Sequence, residues 1–82
     1  MSHRANKDEP TEGYEVYAGF VSYKFYTTAE LAAISGQKVP FWEARRAKEL
    51  APAIHKFGRS VKYLGKDIIA YLKSERRGGD HE

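Results

Sequence analysis

The side chains with chemical reach in this sequence are its cations and its aromatic rings. Arg45 and Arg46 stand side by side, Lys48, Lys56, Arg59 and Lys62 follow, and Trp42 lies just upstream. A guanidinium is a planar fork that makes two parallel hydrogen bonds to a phosphate or to guanine O6 and N7. A lysine adds a mobile point charge suited to phosphate. The other chemistries lack their parts. With no cysteine, thiolate zinc sites and disulfides are excluded. His3, His55 and His81 are too scattered for a metal site. No Ser-His-Asp or paired-carboxylate arrangement has support, and Asp67 has a structural use at a helix start. No catalytic residue, metal or cofactor is expected, and so no enzyme.

The elements that must position those cations fit in one small domain. The chain has 82 residues, 41% of them hydrophobic and 13% aromatic. That is enough apolar material for a globular fold with a thin core. Net charge is +3, unevenly spread. Residues 27–74 carry nine Lys and Arg against four acids, a net of +5, and each flank sums to −1. A basic segment between near-neutral ends suits a polyanion, although a merely solvated surface has the same composition. No apolar run nears the roughly 18 residues of a membrane span. The polar opening Met1–Pro10 lacks a secretory apolar region. These features, with the absence of cysteine, set the expected location as the cytoplasm.

Local signals divide the chain. Residues 1–12 and 76–82 are polar and read as disordered tails. Residues 13–25, rich in Tyr, Phe and Val, read as an extended aromatic arm, with a weak turn at Ala18-Gly19. Such an arm must pack on its own domain or on a neighbour. Thr27 and Glu30 have capping-box spacing ahead of a helix that Gly36 ends. A second helix opens at Pro40 and runs to about Glu49, before Pro52. At about 100° per residue, Phe41, Ala44, Ala47 and Ala51 share one stripe. That stripe is expected to face inward, leaving Trp42, Glu43 and Arg46 outward with Arg45 at the edge. Residues 53–57 and 60–63 read as a hairpin turning at Gly58-Arg59, with Val61 and Tyr63 on one face and Lys62 on the other. Gly65 breaks it. Lys66 to Ser74 is a last helix whose apolar side is Ile68, Ile69, Tyr71 and Leu72. The predicted fold is α+β: a winged helix-turn-helix of two short helices, a hairpin wing and a C-terminal helix over residues 26–75, preceded by the arm.

With those motifs in hand, residues 26–72 resemble the excisionase family of winged helix-turn-helix proteins, related to the DNA-binding domains of MerR-like regulators. The resemblance lies in Tyr26-Thr27…Glu30-Leu31-Ala32…Gly36, in Leu50-Ala51-Pro52, in Phe57-Gly58-Arg59-Ser60-Val61-Lys62-Tyr63, in Lys66-Asp67-Ile68 and in Tyr71-Leu72. It departs at Lys38-Val39-Pro40-Phe41, where the family has Ser or Thr able to cap the helix and touch DNA. The resemblance implies a recombination directionality factor. Such a factor binds and bends attachment-site DNA, cooperatively, so that an integrase excises a mobile element. Close relatives are small phage- or island-type transcriptional regulators, and the sequence does not separate the two. A reading from another class is a protein-interaction module whose Tyr-rich arm binds a partner.

On this reading the recognition helix offers Lys38, Trp42, Glu43, Arg45 and Arg46 to double-stranded DNA, and the wing offers His55, Lys56, Arg59, Ser60 and Lys62. Trp42 has a second reading as core. Glu43 and Glu49 would pair with Arg46 or a lysine, or accept from a cytosine amino group. Copies aligned on adjacent sites would touch through residues 14–25 or through the closing helix at Tyr71.

Overall fold

The computed structural model describes residues 13–75, and the two tails expected at 1–12 and 76–82 lie outside the described residues. The described residues form a small α+β domain of three helices and two antiparallel sheets. The first sheet is a hairpin of β1 (Val16–Tyr17) and β2 (Phe20–Val21). Its two turn residues, Ala18 and Gly19, have φ of 53° and 89°. Positive φ at both positions matches the right-handed twist of the flanking strands. β3 (Phe25–Thr27) leads directly into α1 (Thr28–Ser35), and α2 is Val39–Ala47. β4 (His55–Phe57) and β5 (Ser60–Leu64) form the second hairpin, and α3 is Gly65–Glu75. β5 runs between β3 and β4, so the second sheet has the order β3-β5-β4.

The start of α1 forms as its residue types require. The Glu30 amide donates to Thr27 Oγ1 at 3.0 Å, and the Thr27 amide donates to Glu30 Oε1 at 2.9 Å. Two amides that a helix end leaves orphaned are thereby satisfied. Gly36 ends the helix at φ 87°, a left-handed value that favours glycine. Thr27→Ala is expected to cost about 1 kcal/mol, with Thr27→Ser near wild type. Urea midpoints at an unchanged slope are the measurement, and an Ala variant as stable as wild type would contradict the cap's contribution.

The core is aromatic: Phe20, Tyr26, Leu31, Trp42, Tyr63, Ile68, Ile69 and Tyr71 are all buried. Phe20 and Tyr26 meet edge to face at 5.1 Å, and Trp42 and Tyr71 do so at 5.8 Å. Two expectations are corrected here. As a separate arm, residues 13–25 could pack on their own domain or on a neighbour, and they take the first course as part of the domain. Phe20 is fully buried, and the Val21 amide donates to Tyr26 Oη at 2.8 Å. The Gly65 amide donates to Lys24 O and the Lys66 amide to Ser22 O, at 2.7 and 2.9 Å. The first turn of α3 has no acceptors of its own for these amides, and the preceding segment supplies them. Gly65 therefore opens α3 rather than merely breaking the hairpin.

The second correction concerns the orientation of α2. Trp42 is 1% exposed, whereas Ala44, Ala47 and Ala51 are exposed and Phe41 is 36% exposed. The stripe expected inside is outside. One indole buries more apolar surface than several methyl groups, so the helix turns to cover it. The indole N–H donates to Ser35 Oγ at 3.3 Å, which ties α2 to the end of α1. Smaller differences lie at element ends: α2 closes at Ala47, two residues early, and β4 starts at His55 rather than residue 53. No helix of the described residues is long and apolar enough to cross a membrane.

Candidate nucleic-acid interface

The hairpin holds the cations expected of it. Phe57 pairs with Ser60 across a two-residue loop, and Gly58 has φ 63°. Lys56, Arg59 and Ser60 are exposed, and Lys62 is half-buried on the central strand. His55 differs from the expectation of an open wing residue. Its Nε2 lies 3.3 Å from Asp67 Oδ2, and its ring meets Phe25 edge to face at 5.3 Å. Asp67, expected only as a helix-start residue, thus joins the first turn of α3 to β4.

On α2 the structure separates residues that the sequence grouped. Trp42 is spent in the core and presents nothing to an outside partner. Arg45 is half-buried: its Nε–H donates to Ala51 O at 2.6 Å, and its guanidinium lies 4.5 Å from the Tyr71 ring centre. It fastens the chain after α2 and caps an aromatic ring. Arg46, also half-buried, lines a cleft of about 190 Å³ with Glu49, Leu50, Pro52, Ala53 and Ile54. Among the described residues neither Arg46 nor Glu49 makes an ion pair. The cleft joins the end of α2 to the segment entering β4, so helix and hairpin border one surface. The exposed side of α2 carries Pro40, Phe41, Glu43, Ala44 and Ala47, with Lys38 at its N-cap and Lys48 at its C-cap. Lys38 makes no side-chain cap, as the missing Ser or Thr implies.

Lys48, Ala44 and Ala47 are the surface residues that the sequence reading passed over. The signal that could have found them was the size of Trp42, which outweighs an alanine stripe. Tyr71, expected on the apolar side of α3 and also as a point where copies touch, is buried against Trp42 and beneath Arg45, in keeping with the first use and not the second. On residues 14–25 the large apolar side chains left open are Tyr14, Val16 and Phe25, 49%, 60% and 43% exposed. Lys73 reaches back to Glu15 and lies over the Tyr17 ring, closing the β1–β2 hairpin against α3.

An exposed helix face bearing Ala44, Ala47 and Phe41 between two lysines can meet a groove floor, with apolar side chains against thymine methyls and Glu43 toward a cytosine amino group. A hairpin tipped by Lys56 and Arg59 can reach a phosphate backbone. No protein-family model, curated protein or solved structure matches this chain.

Proposed function

We propose that the chain is a winged helix-turn-helix protein that binds double-stranded DNA, with α2 as its recognition helix and β4–β5 as its wing. The observation that carries this reading is the succession of a helix pair joined by a three-residue turn at Gly36 and a hairpin with exposed Lys56 and Arg59 at its end. The exposed face of α2 enters the major groove, Lys38 and Lys48 take phosphates at its ends, and the wing holds the backbone. The family that residues 26–72 resemble supplies the biological role in this proposal, that of an excisionase. Several copies line up on attachment-site DNA and bend it, and an integrase then excises a mobile element.

Duplex binding measured against salt tests the first step. Four phosphate contacts, by Lys38, Lys48, Lys56 and Arg59, correspond to an affinity loss of about 100-fold between roughly 50 and 200 mM salt. Arg59→Ala is expected to reduce the logarithmic slope by about 1 and to weaken specific and random DNA alike. No binding at low salt, or an affinity indifferent to salt, would remove the reading. A gel-shift tiling of the DNA flanking the gene, followed by an excision assay with an integrase if one is encoded beside it, tests the second step.

A further inference from the structure

The second sheet has two faces, and only one is used by the core. Side chains alternate along a strand, and Tyr26 and Tyr63, paired across β3 and β5, point inward. Phe25, Lys62 and Leu64 therefore point to the other face. So do His55, which pairs with Lys62, and Phe57, two residues further along β4. On that outer face three rings converge from both edge strands. Phe25 meets His55 at 5.3 Å and Phe57 at 5.2 Å, with interplanar angles of 79° and 87°. Phe25 is 43% exposed and Phe57 51% exposed. Solvent-facing phenylalanines on both edges of one small sheet are a costly surface to leave unused.

The charge around the rings selects the occupant. Lys62 lies on the same face, Arg59 is exposed two residues beyond Phe57, and the acid at the rim, Asp67, is engaged by His55. Flat apolar rings edged by unpaired cations complement a ligand that has flat faces and a regular anionic backbone. We propose that the outer face of β3-β5-β4 binds single-stranded DNA, with unpaired bases stacked on Phe25 and Phe57 and the phosphates held by Lys62 and Arg59. This site shares Arg59 with the proposed wing but uses no residue of α2. Its test contains no duplex and turns on Phe25 and Phe57, which the duplex reading does not use, so the two can fail separately.

The experiment is fluorescence anisotropy with a labelled oligothymidylate of about 15 nucleotides at low salt. The wild-type chain binds it. Phe57→Ala and Phe25→Ala each weaken binding about tenfold, Phe57→Leu weakens it as much as Phe57→Ala, and Phe57→Trp restores it. Unchanged circular dichroism spectra establish that these surface variants fold. Lack of binding by the wild type would overturn the proposal. Wild-type binding by Phe57→Leu would overturn base stacking, since bulk without an aromatic face would then suffice. Oligouridylate bound tenfold more tightly than oligothymidylate would overturn the assignment to DNA.

Discussion

Replacing Phe20 with alanine is expected to leave the domain largely unfolded at 25 °C. Phe20 is 0% exposed and packs edge to face on Tyr26 at 5.1 Å. Removing a buried phenyl ring costs about 3–5 kcal/mol, through lost transfer energy and the cavity left behind. A domain of this size holds little more than that in total, because its core is thin and it has no disulfide. Deleting residues 1–24 removes the same ring, together with the carbonyls of Ser22 and Lys24 that receive the α3 amides, and is expected to do the same. Thermal melts followed by far-UV circular dichroism decide the matter. A cooperative transition near the wild-type midpoint in either variant would mean that the segment before β3 is an appendage after all.

Gly65→Ala is expected to destabilise by about 3 kcal/mol or more, the opposite of what its position in a helix suggests. In a helix, alanine is favoured over glycine by roughly 1 kcal/mol. Here a Cβ would fall 1.9 Å from the Val21 carbonyl oxygen and 2.7 Å from its carbon. Those are backbone atoms, held in place by the Tyr26 hydroxyl and by the hydrogen bonds from Gly65 to Lys24 and from Lys66 to Ser22. The segment must lift. It then breaks two hydrogen bonds worth about 1 kcal/mol each and loosens Phe20 beneath it. Urea denaturation measures the difference, and a variant as stable as wild type, or more so, would show that this close approach does not exist in solution.

The two predictions draw on information that the sequence does not expose locally, and that marks the boundary of what could be read from it. The capping box of Thr27 and Glu30, the left-handed Gly36, the Gly58-Arg59 turn and the apolar side of α3 were all legible. Each is decided by groups a few residues apart, through a short hydrogen bond, a steric limit on φ or a helical repeat. The cationic residues of the hairpin tip were legible for the same reason, since a two-residue loop leaves Arg59, and Lys56 close beside it, open.

What only the tertiary structure decided is which of two faces each element buries and what lies across from it. On α2 both an alanine stripe and a lone tryptophan were candidates for the core. The choice fell to Trp42 because Tyr71, distant in the chain, provides a ring to pack against, and Ser35, at the end of α1, an acceptor for the indole N–H. That choice moved Arg45 from the presumed DNA-facing set onto the Tyr71 ring and left Lys48 in the open. Segment 13–25 has the composition of an extended strand wherever it lies. Its place in the core follows from Phe20 meeting Tyr26 and from the free amides at the start of α3, a pairing between distant stretches of chain that carries no periodic signature. Periodicity sets the spacing of side chains on one element, and burial is settled by the surface that another element brings to it.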